Sequence, residues 1–147
     1  MLSNGPGDPQ ENTEIIENLK VLIKSGMPIF GICLGHQLLA LSIGAQTKKM
    51  TFGHRGVNHP VKDLAHDRTY ITSQNHGYAV LGETVNPDIA RVSHININDN
   101  TCEGIEHLHA PIFTVQYHPE VKPGPEDTAY LFDQFIALMD EKKGGAQ

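Results

Sequence analysis

Nowhere along these 147 residues do Lys and Arg gather into a run or stripe, and the formal net charge is −6. Neutralising nucleic-acid phosphates takes clustered cations, so nucleic acid is excluded as the main partner. No apolar run approaches the roughly 20 residues that a membrane-spanning helix needs, so no membrane association is expected. No signal-peptide pattern opens the sequence. With two cysteines, Cys33 and Cys102, a disulfide framework is excluded and a reduced, cytoplasmic protein is expected. No internal repeat, low-complexity tract or linker divides the chain.

What is present suits one globular domain over residues 1–147, with 39% hydrophobic and 19% charged residues. A chain of this length can bury a core without cross-links. Gly5-Pro6-Gly7-Asp8-Pro9 reads as a turn, with Asp8 capping a helix that has Pro9 at its first position and Glu11 three residues beyond the cap. Ile15, Ile16, Leu19, Leu22 and Ile23 recur at helical spacing, and Ser25-Gly26 ends that helix. Pro28 to Ile32 reads as a buried strand, and Leu34 to Ile43 as a helix stopped by Gly44. Helix, strand and helix with short links predict an α/β fold, a layered, mostly parallel sheet flanked by helices. From Phe52 to Pro60 the chain lacks periodicity and is expected to be a loop. Strands are expected at Thr69 to Thr72 and Ala90 to Ile97, followed by a turn at Asn98-Asp99-Asn100 and a strand from Cys102 to Ile105. Ile112 to Val115 is a further buried strand. A last helix is expected from about Asp127 to Lys143, burying Tyr130, Leu131, Phe135, Leu138 and Met139.

Gly31-Ile32-Cys33-Leu34-Gly35 carries the most chemistry. A buried strand ends, a nucleophile-type residue follows and a helix begins, as in the G-x-S-x-G nucleophile elbow. Small residues two before and two after the nucleophile let so tight a turn form. A cysteine at a helix start feels the positive end of the helix dipole, which can lower a thiol pKa from about 8.5 into the range of roughly 3.5–7.5. The N–H of Leu34 points where an oxyanion would form. The alternative for the same residues is a small, inert core cysteine. His118-Pro119-Glu120 follows the strand ending at Val115. A His and a Glu two residues apart can face the same side of extended chain, which suits an acid/base and its orienter; the alternative is a surface loop. Gly5-Pro6-Gly7 is a poor phosphate nest, because proline lacks an N–H. It suits a rigid turn that approaches a small substrate, or an ordinary strand-to-helix turn. Among nine histidines, His107-x-His109 and His54-x4-His59 lack companion ligands at zinc-site spacing, so no metal is expected. Cys102 reads as core.

Phe30-Gly31-Ile32-Cys33-Leu34-Gly35-His36-Gln37 with His118-Pro119-Glu120 downstream resembles the class I, triad-type glutamine amidotransferases. Leu2 to Pro9, Phe52 to Val61 and Ser73-Gln74-Asn75-His76-Gly77-Tyr78 narrow the resemblance to the carbamoyl-phosphate synthetase small-chain branch. The resemblance implies a flavodoxin-like α/β fold, with Cys33 as nucleophile, His118 as acid/base and Glu120 as orienter. It implies an oxyanion hole from the N–H groups of Leu34 and Gly5. It also implies that Gly7, Gln37, Asn75, Gly77 and Tyr78 hold L-glutamine. The implied partner is a large synthetase subunit that would hold ATP and Mg; this chain has no ATP motif and needs no cofactor. Against that family the sequence begins inside the fold. The domain's first strands, the small chain's N-terminal domain and one glutamine-contacting serine have no counterpart, so a fold incomplete at its N-terminus is expected. Another thiol hydrolase of the same fold, or a non-catalytic fragment, would carry the same residues.

Overall fold

The computed structural model describes residues 1–2, 7–119 and 130–145. Three helices, α1 (Thr13–Lys24), α2 (Leu34–Ser42) and α3 (Tyr130–Gly145), accompany six strands. The strands are β1 (Ile29–Ile32), β2 (Thr47–Asp63), β3 (Arg68–Val80), β4 (Ala90–Asn96), β5 (Cys102–His107) and β6 (Ile112–Val115). No described helix is long and apolar enough to cross a membrane.

The expected mostly parallel, layered sheet is not what forms. The strand order is β1-β6-β5-β3-β2-β4, and among these strands only β1 and β6 run parallel. β4 pairs with both β2 and β5, which curls the antiparallel strands into a barrel-like sheet. The reason lies in the connections. Parallel neighbours need a long crossover, usually helical, whereas short turns return a strand antiparallel. Between Thr47 and Val115 no α-helix separates the strands.

The expected loop from Phe52 to Pro60 is part of β2. Register shifts between Lys49 and His54 and between Gly56 and His59 break the two-residue alternation there. Gly53 (φ 73°) and Gly56 (φ 129°) supply the left-handed backbone those irregularities use. β3 likewise runs well past the expected Thr72 and takes in Ser73 to Tyr78.

Asp8 caps a 3₁₀ turn over Pro9–Glu11, its carboxylate accepting from Gln10 N–H at 2.9 Å, rather than capping α1. On α1, Leu19 is buried while Ile16 and Ile23 pack beside it; Ile15 and Leu22 are exposed. Residues 127–129 of the expected last helix lie outside the described residues. On α3, Leu131 is buried, Tyr130, Phe132, Phe135 and Leu138 pack against the core, and Met139 is exposed.

The core segment that positions the site is the β1–β6 pair. Phe30 is fully buried and stacks on Phe113 at 4.5 Å between ring centroids, with Phe132 edge-on at 5.7 Å. Leu2 forms a parallel bridge to Gly31 on the other side of β1, its N–H donating to Phe30 O and its carbonyl accepting from Ile32 N–H, each at 2.8 Å.

Candidate active site

Register aligns Ile32 with Val115, so β1 and β6 end side by side. Cys33 follows the first strand directly and His118 lies three residues beyond the second. The Cys33 N–H donates to Val115 O at 3.0 Å, and the His118 N–H donates to Ser73 O on β3 at 2.9 Å. Paired strand ends thus bring the two residues to one end of the sheet.

Cys33 adopts φ 55°, ψ −108° at the head of α2. A non-glycine residue held there is strained. The two flanking glycines show why the turn needs small residues. A Cβ on Gly31 would lie 2.7 Å from Leu39 Cδ1 and 2.9 Å from the Gly35 carbonyl, while one on Gly35 would run into the Leu2 carbonyl oxygen. The elbow expected from the pentapeptide is therefore present, and it presents Cys33 and Leu34 to a cavity of about 620 Å³.

Gly7, Gln37, Asn75, Gly77 and Tyr78 line the same cavity. Gln37 Nε2 donates to Tyr78 O at 3.0 Å, joining α2 to β3 across it. Of the other expected site residues, Gly5 and Glu120 lie outside the described residues. His118 is half-buried beside buried Pro119. Cys102 is buried away from the cavity, and burial pushes its thiol up to about 12.

Sequence reasoning missed Gln116. It is fully buried; its Nε2 donates to Cys33 Sγ at 3.6 Å and its Oε1 accepts from Gln37 Nε2 at 2.9 Å. Its one signal was a polar residue placed directly after the apolar run Ile112 to Val115. Lys49, Met50, Thr51, Phe52, Gly53, Arg55 and His76 also line the cavity, because the supposed loop is a strand that folds over it. Arg55 is held there by a 2.8 Å hydrogen bond from Nη1 to Phe52 O.

Behind the cavity wall, Thr72, Gln74 and His76 are buried at two-residue spacing on β3. That period was readable, yet what the residues meet was not. His76 contacts His54 of β2, which reaches Glu103 of β5 and Asp99. Burial, with the nearby His54, His59 and His118, lowers His76 to about 4. Burial also acts against charge on His54, but hydrogen bonds and attraction from Glu103 and Asp99 outweigh it and raise His54 to about 9.

A strand, a strained turn bearing Cys33 and a helix open together on a polar cavity, the arrangement of an amidotransferase-type site. In agreement, the class-I glutamine amidotransferase family model matches residues 1–138, and the chain belongs to that family. It is 58% identical over 146 residues to the carbamoyl phosphate synthase small chain of Bacillus caldolyticus, covering 98% of this chain and 40% of that protein. It is 56% identical to the pyrimidine-specific small chain of Bacillus subtilis, with 99% and 40% covered. The small chain of Methanocaldococcus jannaschii is 58% identical, with 97% and 40% covered. The chain thus spans about 40% of the length of these relatives. Among solved structures, a putative GMP synthase protein from Thermoplasma acidophilum superposes with a TM-score of 0.79 at 23% identity, covering 97% of this chain and 73% of that one. A glutamine amidotransferase from Thermotoga maritima gives 0.66 at 19% identity, with 95% and 63% covered. These two likenesses establish the fold.

Proposed function

We propose that this chain carries the glutamine-hydrolysing site of a carbamoyl phosphate synthase, with Cys33, His118 and Glu120 as its triad. The observation that supports this best is Cys33 itself, held at positive φ on a helix N-terminus and facing a cavity walled by Asn75, Gly77 and Tyr78. The relatives' shared name supports the choice of substrate and pathway.

In this reading L-glutamine lies along the cavity with Gly7, Gln37, Asn75, Gly77 and Tyr78 around it. The Cys33 thiolate attacks the side-chain carboxamide carbon. The negative charge that develops on oxygen is held by the N–H groups of Leu34 and Gly5; losing one such donor typically costs about 3–4 kcal/mol of transition-state stabilisation. Protonated His118 gives its proton to the departing nitrogen, and ammonia leaves as the C–N bond breaks. The resulting thioester is attacked by water, from which His118 takes a proton. The C–S bond breaks, releasing glutamate and the thiolate. Glu120 orients the imidazole and stabilises its charge. Ammonia then passes to a large partner subunit, which would use ATP and bicarbonate to make carbamoyl phosphate. A reducing cytoplasm suits a mechanism that depends on a thiolate.

The test is glutamate release by the full protein that carries this chain, with synthesis from external ammonia measured in parallel. Cys33→Ser is expected to abolish hydrolysis while ammonia still supports synthesis, because a hydroxyl is a poorer nucleophile at neutral pH without a strong base. His118→Asn should be similarly damaging, and Glu120→Gln less so. Glutaminase activity that survives in Cys33→Ser would rule out this reading.

A further inference from the structure

Four polar atoms converge behind the cavity wall, and the proposed glutaminase uses none of them. They are Nδ1 of His54, Oε1 of Gln74, Nε2 of His76 and Oε1 of Glu103. His54 Nδ1 lies 3.2 Å from His76 Nε2, 3.0 Å from Gln74 Oε1 and 3.3 Å from Glu103 Oε1. His76 Nε2 lies 2.8 Å from Gln74 Oε1. The four side chains come from β2, β3 and β5, and each is less than 9% exposed.

What surrounds them decides which atoms carry hydrogen. His76 Nδ1 sits 2.8 Å from the Tyr78 carbonyl oxygen, which only accepts, so Nδ1 holds the proton and Nε2 of the neutral ring offers a lone pair. His54 Nε2 sits 2.6 Å from Asp99 Oδ2 and donates to it, and the proton that Nδ1 carries while the ring is cationic is the one an ion would displace. Gln74 Nε2 donates to Thr72 Oγ1 at 3.1 Å, so the Gln74 oxygen is the atom turned inward. Glu103 adds a fully buried carboxyl group, whose Oε1 also accepts from Thr101 Oγ1 at 3.4 Å and which has the Asn96 amide beside it. Two imidazole nitrogens, an amide oxygen and a carboxyl oxygen therefore face one another, with one proton at His54 Nδ1 among them. Such a set repels itself unless a positive charge lies among its members. A single proton on His54 Nδ1 can be well aimed at one of the three acceptors around it, not at all of them.

We propose that His54, His76 and Glu103, completed by Gln74, bind one divalent transition ion of the zinc class. The donor set of two imidazole nitrogens and two oxygens suits such an ion. Bonds of about 2.0–2.1 Å in a tetrahedral site put ligand atoms about 3.3 Å apart. The two separations of 3.2 and 3.3 Å from His54 Nδ1 already match, and those to Gln74 need a few tenths of an ångström. The outer groups are those that orient metal-bound histidines, a carboxylate on His54 and a backbone carbonyl on His76. Glu103 and Asp99 together balance the two positive charges. The ion would tie β2, β3 and β5 together and steady the strand that presents Asn75 and Gly77 to the cavity.

The test is metal content of the full purified chain after loading with zinc and dialysis, with cobalt(II) as a spectroscopic substitute. One equivalent per chain is expected, with the intense visible bands of a four-coordinate cobalt site. Glu103→Gln and His54→Gln should lose that equivalent. Asp99→Asn, on a part-exposed residue outside the ligand set, should keep the fold and weaken affinity about 10–100-fold. Cys33→Ser should hold the ion unchanged, so a failed glutaminase assay and a failed metal site are separate results. No stoichiometric binding, with nitrogen NMR showing both His54 nitrogens protonated, would overturn the proposal and assign the central charge to a proton. Binding that survives in all of the His54, Glu103 and Asp99 variants would place the ion elsewhere and overturn it equally.

Discussion

Gln116 Nε2 donates to the sulfur of Cys33 at 3.6 Å while its Oε1 accepts from Gln37 Nε2 at 2.9 Å. One fully buried amide therefore links Cys33 at the end of β1 to the helix that follows it. A donor aimed at sulfur favours the thiolate over the thiol.

Gln116→Met should remove that donor at similar volume and raise the apparent pKa of Cys33. Hydrogen bonds to charged groups contribute about 1.5–3 kcal/mol, so the thiolate fraction, and with it the alkylation rate, should fall at neutral pH. The rate of iodoacetamide alkylation against pH measures it. Cys102, buried and pushed up to about 12, should not contribute to that curve in the native protein. An unchanged profile in Gln116→Met would mean that the amide only fills space.

Gly35→Ala tests the elbow through packing rather than chemistry. Its Cβ would meet the Leu2 carbonyl oxygen and lie 2.7 Å from Leu2 Cβ, both part of the segment that bridges to β1. Neither neighbour is the free end of a flexible side chain. Overpacking of this kind typically costs about 1–3 kcal/mol. The denaturant midpoint should fall accordingly, with Leu2 displaced from its bridge to Gly31. A midpoint within error of the parent would show that the N-terminal segment can move aside at no cost.

His36 should make stability depend on pH below neutrality. It is fully buried on α2, with Nδ1 2.7 Å from Thr114 Oγ1. Burial, aided by His76 and His94, lowers it to about 3. The unfolded chain therefore binds a proton near pH 6.5 that the native protein refuses. The contribution of neutral His36 is complete above about pH 6.5 and is lost as pH falls towards 3, at up to about 1.4 kcal/mol per unit. From pH 7 to pH 5 the loss should be about 2 kcal/mol. Urea unfolding of the parent and of His36→Asn at both pH values checks this. Equal pH dependence in the two proteins would show that His36 is already protonated when folded.

Local chemistry was legible in the residues themselves. Gly31-Ile32-Cys33-Leu34-Gly35 dictates a strand, a tight strained turn and a helix, because only glycine leaves room beside Leu39 and Leu2. Apart from the Leu2 contact, such a turn depends on neighbours in sequence, so sequence determines it. The helices α1 and α2 and the strands β1, β4, β5 and β6 were readable for the same reason, from short-range periodicity and turn residues. The direction of strand pairing was not, since hydrogen bonding between distant strands leaves no mark on local pattern. β2 was hidden because its two irregularities at Gly53 and Gly56 reset the alternation that identifies a strand. Gln116 beside Cys33, and the meeting of His54, Gln74, His76 and Glu103, were decided by tertiary structure alone. Those side chains come together only when β2, β3, β5 and the end of β6 close around one another, bringing residues dozens of positions apart within 4 Å.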